Sequence, residues 1–537
     1  MFPSEHTLDR GPSGKRISRP SLGLPTASQM PQFLKTMRGY WAAATAPQLW
    51  AFACLAGVFI RLCRAVVMPH DFWWHVRVGK WILENGYVPD RDLFSFTRAE
   101  QPFGYVLYWL ADVTLYLLLR AGGLPLVIFS CALVITTAYG LLLWLNVRTS
   151  DGDVRWAATA TLLAAGVGMS SWSTRPQVLS FLLFALTLFL IEKHAAESAE
   201  APGYRSGSRP IWLLPPVFAL WANVHGGFVI GLALLASFVL TSLWEWRRGR
   251  TGRPTALAAS AALSLVATLV TPAGPRTLGF ALSVISHPAV REWTMEWMPP
   301  TLQTPTGLVF FAFVTIWLLS LAAGRYRPNA HEYVRYLLFG GLALLAVRNV
   351  SWFGFVAAPS LAAALSRWSA NRTSRSTAKG ADRLAVNRVL ALALAAAAVL
   401  SLPWFRPLSP LPQWRPYVSP DTPVRATSYL RTLPGPRRVF HSDAYGSYMI
   451  WASPEIPVFT DTRIDLYPPE QWSDYLAVSY ARYDWKEILA RYRIDTLFLD
   501  REVQQSLIAA ASADPDWEPR YEDGRSVIML LRRERDP

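Results

Sequence analysis

Residues 46–68 read APQLWAFACLAGVFIRLCRAVVM, and residues 69–96 continue PHDFWWHVRVGKWILENGYVPDRDLFSF. An apolar run long enough to cross a membrane thus passes directly into paired tryptophans, two histidines and three aspartates. A bilayer core takes roughly 20 apolar helical residues per crossing. Loops or sheet edges facing lipid would leave backbone groups unsatisfied, so further apolar runs of this kind imply a bundle of helices. Such runs, rich in Ala, Leu, Val and Phe, recur from residue 47 to residue 404 of the 537-residue chain, which is 52% hydrophobic. The sequence predicts an all-α polytopic membrane helix bundle followed by a small α/β domain.

The excess of 52 basic over 37 acidic residues, a net charge of +15, falls largely in short connectors between apolar runs, such as WEWRRGRTGRP at 244–254. It reads as topology under the positive-inside rule. No basic stripe with interleaved aromatics stands on a soluble segment, which argues against nucleic acid as a partner. Cys54, Cys63 and Cys131 lie inside apolar runs and form neither a disulfide framework nor a metal pattern. Residues 1–46 are polar and basic, without the apolar core of a signal peptide, and read as a disordered cytoplasmic arm.

With the arm inside, 47–68 carries the chain out and 69–123 becomes a long first external loop. Counting 105–119 (YVLYWLADVTLYLLL) as a crossing would put the basic connectors 193–210, 244–254 and 366–383 on the wrong side. This piece is short and carries Asp112, so it reads as an interfacial or re-entrant helix. The crossings are then 47–68, 124–145, 156–171, 177–192, 211–224, 227–243, 255–271, 307–322, 332–347, 352–366 and 388–404, about eleven by the length rule. Residues 405–425 form a Pro-rich linker to an outer domain at 426–537. There RRVFHSDA, YMIWA, PVFTD, IDTLFLD and a final run after DGR read as strands, and 469–492 has helical period.

Nearly all the unusual polar residues fall on the outward face. Asp71 follows the first span, flanked by His70 and His75. Residues 72–85 have the period of an interfacial helix capped by Asn85-Gly86, and Asp90 and Asp92 sit in the turn PDRD. Arg175 (STRPQ), His225 (ANVHGG), Arg276 (PAGPR), Arg291 and Glu292 (VREW), Glu296 (MEW) and Arg348 (VRNVSWF) share that face. Ionisable groups near membrane depth line cavities or pair with one another, and the planar guanidinium matches phosphate. A carboxylate at the boundary suits general-base work on a hydroxyl, although Asp is also an ordinary turn residue and any one arginine also fits a structural ion pair. His441, Asp443, Asp461, Arg463 and Asp465 near the predicted outer strands read as turns and salt bridges. No Walker loop, CxxC pair, HExxH or GxSxG is present.

The order of HDFWWH, an interfacial helix, PDRDLFSF, YWLADV and a long span resembles the GT-C superfamily of polyprenyl-phosphate-sugar-dependent membrane glycosyltransferases, in particular its protein-mannosyltransferase-like bacterial branch. The resemblance covers 47 to about 366. It implies a catalytic role for Asp71, with Asp90 or Asp92 as the second acid of the loop, and inversion at the anomeric carbon. It implies a polyprenyl-phosphate-linked sugar whose phosphate meets Arg175, Arg276, Arg291 or Arg348, with His75, His225 and Glu296 lining the site. The acceptor would be a glycan, lipid or protein at the outer face of a bacterial cytoplasmic membrane. Asp71 is followed by Phe72 rather than a second acid, which leaves open whether a divalent ion, Mg or Mn, takes part. Two other classes remain: a lipid-linked-substrate transporter or flippase, which predicts broken helices paired across two halves, and a non-catalytic subunit of cell-envelope assembly.

Overall fold

The structure, a computed structural model, describes residues 45–68, 71–200, 209–287, 290, 294–373, 384–409 and 416–532. Nearly all of the N-terminal arm, His70, Arg291, Glu292 and parts of the connectors 193–210 and 366–387 and of the 405–425 linker lie outside these.

The first helix, α1 (Ala46–Cys63), starts on a capping box in which Thr45 and Gln48 satisfy each other's backbone, with Pro47 at the first turn. α2 (Asp71–Asn85) follows, with an acid at its positive end. In α3 (Trp109–Thr149) the two apolar pieces read separately in the sequence run together across a break: Gly122 and Gly123 leave helical geometry, Gly123 at φ +64°, just before Pro125. The bundle continues through α4 (Val154–Gly168), α5 (Gln177–Glu200), α6 (Leu214–Val224), α7 (Phe228–Arg247), α8 (Thr255–Ala267), the short α9 (Arg276–Ser286), α10 (Pro305–Ala323), α11 (Ala330–Leu345), α12 (Val350–Thr373) and α13 (Leu384–Ser401).

Each of the eleven expected apolar segments is helical. Among the described residues, seven helices are long and apolar enough to cross a membrane: α1, α3, α5, α7, α10, α12 and α13. α4, α6, α8 and α11 are shorter, at 11 to 16 residues. The molecule is a multi-pass membrane helix bundle with a small C-terminal sheet.

That sheet has the order β1-β2-β4-β3. β1 (Val439–His441) pairs parallel with β2 (Thr496–Asp500), and β2 and β3 (Trp517–Glu522) each pair antiparallel with β4 (Ser526–Leu531). YMIWA, read as a strand, lies in a helix (Asp443–Ala452), because Ser442 caps the Tyr445 N–H and starts a turn. A short apolar run does not separate the two states by itself. PVFTD forms only a single bridge, Val458 with Ser95 of the first loop. The 469–492 segment divides into Pro469–Ser479 and Trp485–Arg491.

α2 joins the two parts of the molecule. Phe72, Trp73 and Val76 pack into the bundle core, while Trp74, Val78 and Ile82, one helical turn apart on another face, belong to the core of the C-terminal domain. The helix read as interfacial packs one face on the bundle and another on the C-terminal domain. At Gly79 it meets α3 so closely that a Cβ would lie 2.1 Å from the Asp112 carbonyl oxygen. Gly79→Ala is expected to lower stability by about 1–3 kcal/mol, because main chain cannot rotate out of the way. Thermal unfolding of the solubilised protein checks this; an unchanged midpoint would refute the close contact.

The linker is clasped onto the bundle. Arg406, buried, donates from Nε and Nη2 to the Cys63 carbonyl (3.2 and 2.6 Å) and from Nη1 to that of Pro416 (2.8 Å). A cation here satisfies carbonyls left over at the end of α1, and Val418 pairs with Val67 beside it.

Candidate active site

α2 brings Asp71 to the mouth of the bundle, where the turn before α5 presents Arg175. Arg175 donates from Nη1 to Asp71 Oδ2 (3.1 Å), from Nη2 to Glu296 Oε1 (2.7 Å) and from Nε to Ser173 Oγ (2.9 Å). Burial works against the Arg175 charge, but Glu296 and Asp71 outweigh it and hold the guanidinium protonated. Burial alone would raise Glu296, whereas Arg175 and Arg348 bring it below the usual carboxylate range.

These groups line a polar cavity of about 140 Å³ together with His75, Tyr108, Gln177, His225, Arg348 and, from the C-terminal domain, Thr462, Arg463 and Asp465. An apolar cavity of about 220 Å³ adjoins it, lined by Leu107, Val229, Ile230, Ala281, Leu342 and Leu345 among others. Tyr108, Gln177, His225, Val284, Trp297 and Arg348 border both.

Arg348 and His225 are two of the shared residues that carry donors. Arg348 lies over the Trp297 ring, 4.4 Å from its centroid, and among the described residues it has no ion-pair partner. The His225 Nδ1 accepts from the Gly227 N–H (2.9 Å) and lies 2.8 Å from Ser180 Oγ. With burial and the nearby Arg348 and Arg175 pushing its pKa down to about 3, the ring is neutral and its proton sits on Nε2. His75 is also held neutral by burial and by Arg175 and His225. Its Nδ1 lies 2.7 Å from Asp112 Oδ1, fixing α2 against α3.

Of the residues singled out in the sequence, Asp71, His75, Arg175, His225, Glu296 and Arg348 therefore converge on one cavity from five segments. Asp90 is exposed at the turn, and Arg276 is exposed at the start of α9; neither lines the cavity. Asp92 does not line it either. Only 2% exposed, it accepts from the Ser95 N–H (2.9 Å), Ser95 Oγ (2.6 Å) and Arg463 Nη1 (2.7 Å). Arg463 in turn binds Asp461 through Nε (2.8 Å) and Nη2 (2.6 Å), and also contacts Tyr105. This buried network fastens the first loop to the C-terminal domain.

Tyr108, Gln177, Trp297 and Asp465 were not singled out for the site. Only the folding of the C-terminal domain over the loop brings Asp465 there, and no local pattern around it signals this. Among the described residues no group of three or more His, Cys, Asp or Glu could hold a metal ion. A guanidinium already lies between the Asp71 and Glu296 carboxylates, where a divalent ion would need its donors.

An apolar cavity and a polar chamber thus adjoin, the C-terminal domain lining part of the polar one. No family model matches the chain, and no curated protein matches it in sequence. Among solved structures it is similar to the archaeal oligosaccharyltransferase AglB from Archaeoglobus fulgidus in complex with an inhibitory peptide and a dolichol-phosphate. The TM-score is 0.57 at 13% identity, over 90% of this chain and 73% of that one. The apo form of the Archaeoglobus fulgidus oligosaccharyltransferase gives 0.51 at 13% identity, over 84% and 69%. ArnT from Cupriavidus metallidurans bound to undecaprenyl phosphate gives 0.49 at 14% identity, over 89% and 97%. The chain accordingly shares the fold of the Archaeoglobus fulgidus oligosaccharyltransferase.

Proposed function

We propose that this protein is a membrane glycosyltransferase that moves a hexose or pentose from a polyprenyl-phosphate donor to a hydroxyl-bearing acceptor on the outer face of a bacterial cytoplasmic membrane. In this reading the chain crosses about eleven times, with its N-terminus cytoplasmic and its C-terminal domain outside. The observation that carries it is the meeting of an apolar and a polar cavity at Arg348 and His225. A lipid phosphate needs this juxtaposition: its chain among aliphatic side chains, its head against a cation without a carboxylate partner. The fold likeness to AglB, whose structure holds a dolichol-phosphate, supports the same ligand class.

The polyprenyl chain enters the apolar cavity and the phosphate rests between Arg348 and the His225 Nε2–H, leaving the sugar in the polar chamber. Asp71, oriented by Arg175, faces the developing positive charge at the anomeric carbon. The bond from that carbon to the phosphate breaks, and Arg348 stabilises the charge on the departing lipid phosphate. The configuration inverts, as in the protein-mannosyltransferase-like branch that the first loop resembles. No step runs through a metal ion. The acceptor is a glycan, lipid or protein.

Arg348→Ala is expected to weaken binding of polyprenyl phosphate about 10- to 100-fold, the loss of one or two charge-assisted hydrogen bonds. Titration of the protein in lipid nanodiscs with polyprenyl phosphate and with the uncharged polyprenol measures it. Equal affinity of the wild type for both ligands would sink the reading.

A further inference from the structure

The polar cavity holds three carboxylates that face its interior: Asp71, Glu296 and Asp465. Arg175 binds the first two. Asp465 stands in a short 3-10 turn, Ile464–Leu466, of the C-terminal domain. Among the described residues it has no ion-pair partner and no side-chain hydrogen bond; its own backbone N–H lies within bonding reach. Its neighbours Asp461 and Arg463 are consumed by each other, by Asp92 and by Tyr467. The sequence DTRIDLY thus divides into a buried clamp and one carboxylate directed to the cavity.

We propose that Asp465 is the general base of the transfer reaction. This rests on the glycosyltransferase reading and assigns the proton that reading leaves unplaced. As the acceptor oxygen bonds the anomeric carbon, its proton passes to the Asp465 carboxylate. The bond between the anomeric carbon and the phosphate oxygen breaks, and its electron pair stays on the lipid phosphate beside Arg348. Asp465 then returns the proton to solvent. A carboxylate already held by a guanidinium is suited to facing positive charge, whereas one without such a partner is the better proton acceptor.

The surroundings agree. Burial raises the Asp465 pKa to about 6. Its own backbone N–H and Arg463 oppose the rise, and Asp461 and Asp71 add to it. The other charged or titratable groups facing the chamber are His75 on α2, Tyr108 before α3, Arg175, His225, Glu296 and Arg348. His75 and His225 stay neutral, Arg175 stays charged and Glu296 stays ionised. Asp465 is therefore the group expected to titrate near pH 6.

The test uses membranes containing the full-length protein, polyprenyl phosphate carrying a radiolabelled hexose or pentose, and the endogenous acceptors of those membranes. In the wild type, transfer should fall tenfold per pH unit below about pH 6, because a protonated base accepts nothing. Asp465→Asn should lower transfer at pH 7.5 at least a hundredfold and leave a residual rate flat through that range. Asp465→Glu should recover part of the rate and keep a pH limb. Polyprenyl phosphate binding should be unchanged in both. Full transfer by Asp465→Asn with the wild-type pH limb would overturn the assignment and leave the transferase reading standing. Absence of transfer by the wild type with either sugar would defeat both.

A second measurement does not depend on turnover. Dicyclohexylcarbodiimide reacts with protonated carboxyls in apolar surroundings, and mass spectrometry locates the adduct. Asp465 should be labelled at pH 5.5 and progressively less through pH 6 to 7. A folded protein in which Asp465 stays unlabelled at pH 5.5 refutes the proposal.

Discussion

Replacing Asp71 by Asn is expected to lower transfer about 10²- to 10³-fold in a protein that remains folded. The amide keeps the shape of the carboxylate but removes the charge facing the reacting carbon. Arg175 keeps its 2.7 Å bond to Glu296 and its bond to Ser173, so the guanidinium stays in place. The loss should fall on kcat, with little change in the affinity for polyprenyl phosphate, because Asp71 is not among the residues bordering the apolar cavity. Asp71→Glu should not restore the rate, since an added methylene pushes the carboxylate out of register with Arg175. If Asp465 is the base, the rate remaining in Asp71→Asn keeps an acid limb, moved to lower pH because the Asp71 charge no longer helps to raise Asp465. Wild-type transfer by Asp71→Asn at matched expression would remove Asp71 from the mechanism.

The second large effect is structural. Arg463→Met should destabilise the C-terminal domain by about 3–5 kcal/mol, because it strands two buried carboxylates, Asp92 and Asp461, without their cation. Loss of this network also loosens the first loop, whose Thr97 Oγ1 donates to the Phe459 carbonyl (2.6 Å) and whose Arg98 Nε donates to that of Leu466 (3.2 Å). Limited proteolysis should cut near residues 90–100 in Arg463→Met well before it does in the wild type. Adding Asp92→Asn should return part of the stability, and the double-mutant cycle measures how much of it the pair carries.

The network is also acid-sensitive. Burial would raise the Asp461 pKa, but Arg463 overrides this and holds it below the usual carboxylate range. A carboxylate with a lowered folded-state pKa contributes stability that is present above its unfolded value, about 3.9, and lost as pH falls below that.

The bundle was legible because each apolar run is also a helix, and the division between the pieces 105–119 and 124–145, drawn from loop charge and Asp112, coincides with the break inside the third helix at Gly122-Gly123. The site was legible where a charged residue stands at the end of an apolar run. Asp71, Arg175, His225 and Arg348 could all be placed on one face without knowing which helices touch. Asp90, Asp92 and Asp465 show the limit of that reasoning. All three are aspartates in turns of the outer segments, yet one is solvated, one is locked in a buried ion network and one faces the cavity. The difference is set by the docking of two segments more than 350 residues apart, which no periodicity encodes. The strand assigned to YMIWA failed for a local reason: Ser442 satisfies the first turn of a helix, and the apolar run alone did not reveal the cap.

The face of α2 that carries Trp74, Val78 and Ile82 has a consequence for biosynthesis. Asp92 and Arg463 are separated by 371 residues, which ribosomes traverse in about 20–70 s. For that interval the first loop has emerged without the domain that covers it, and three large apolar side chains await partners not yet made. The loop must therefore be sheltered by the membrane surface or by a folding factor until the last part of the chain arrives. A chain cut short after α13 would carry its bundle but leave that face uncovered, a lasting target for quality-control proteolysis.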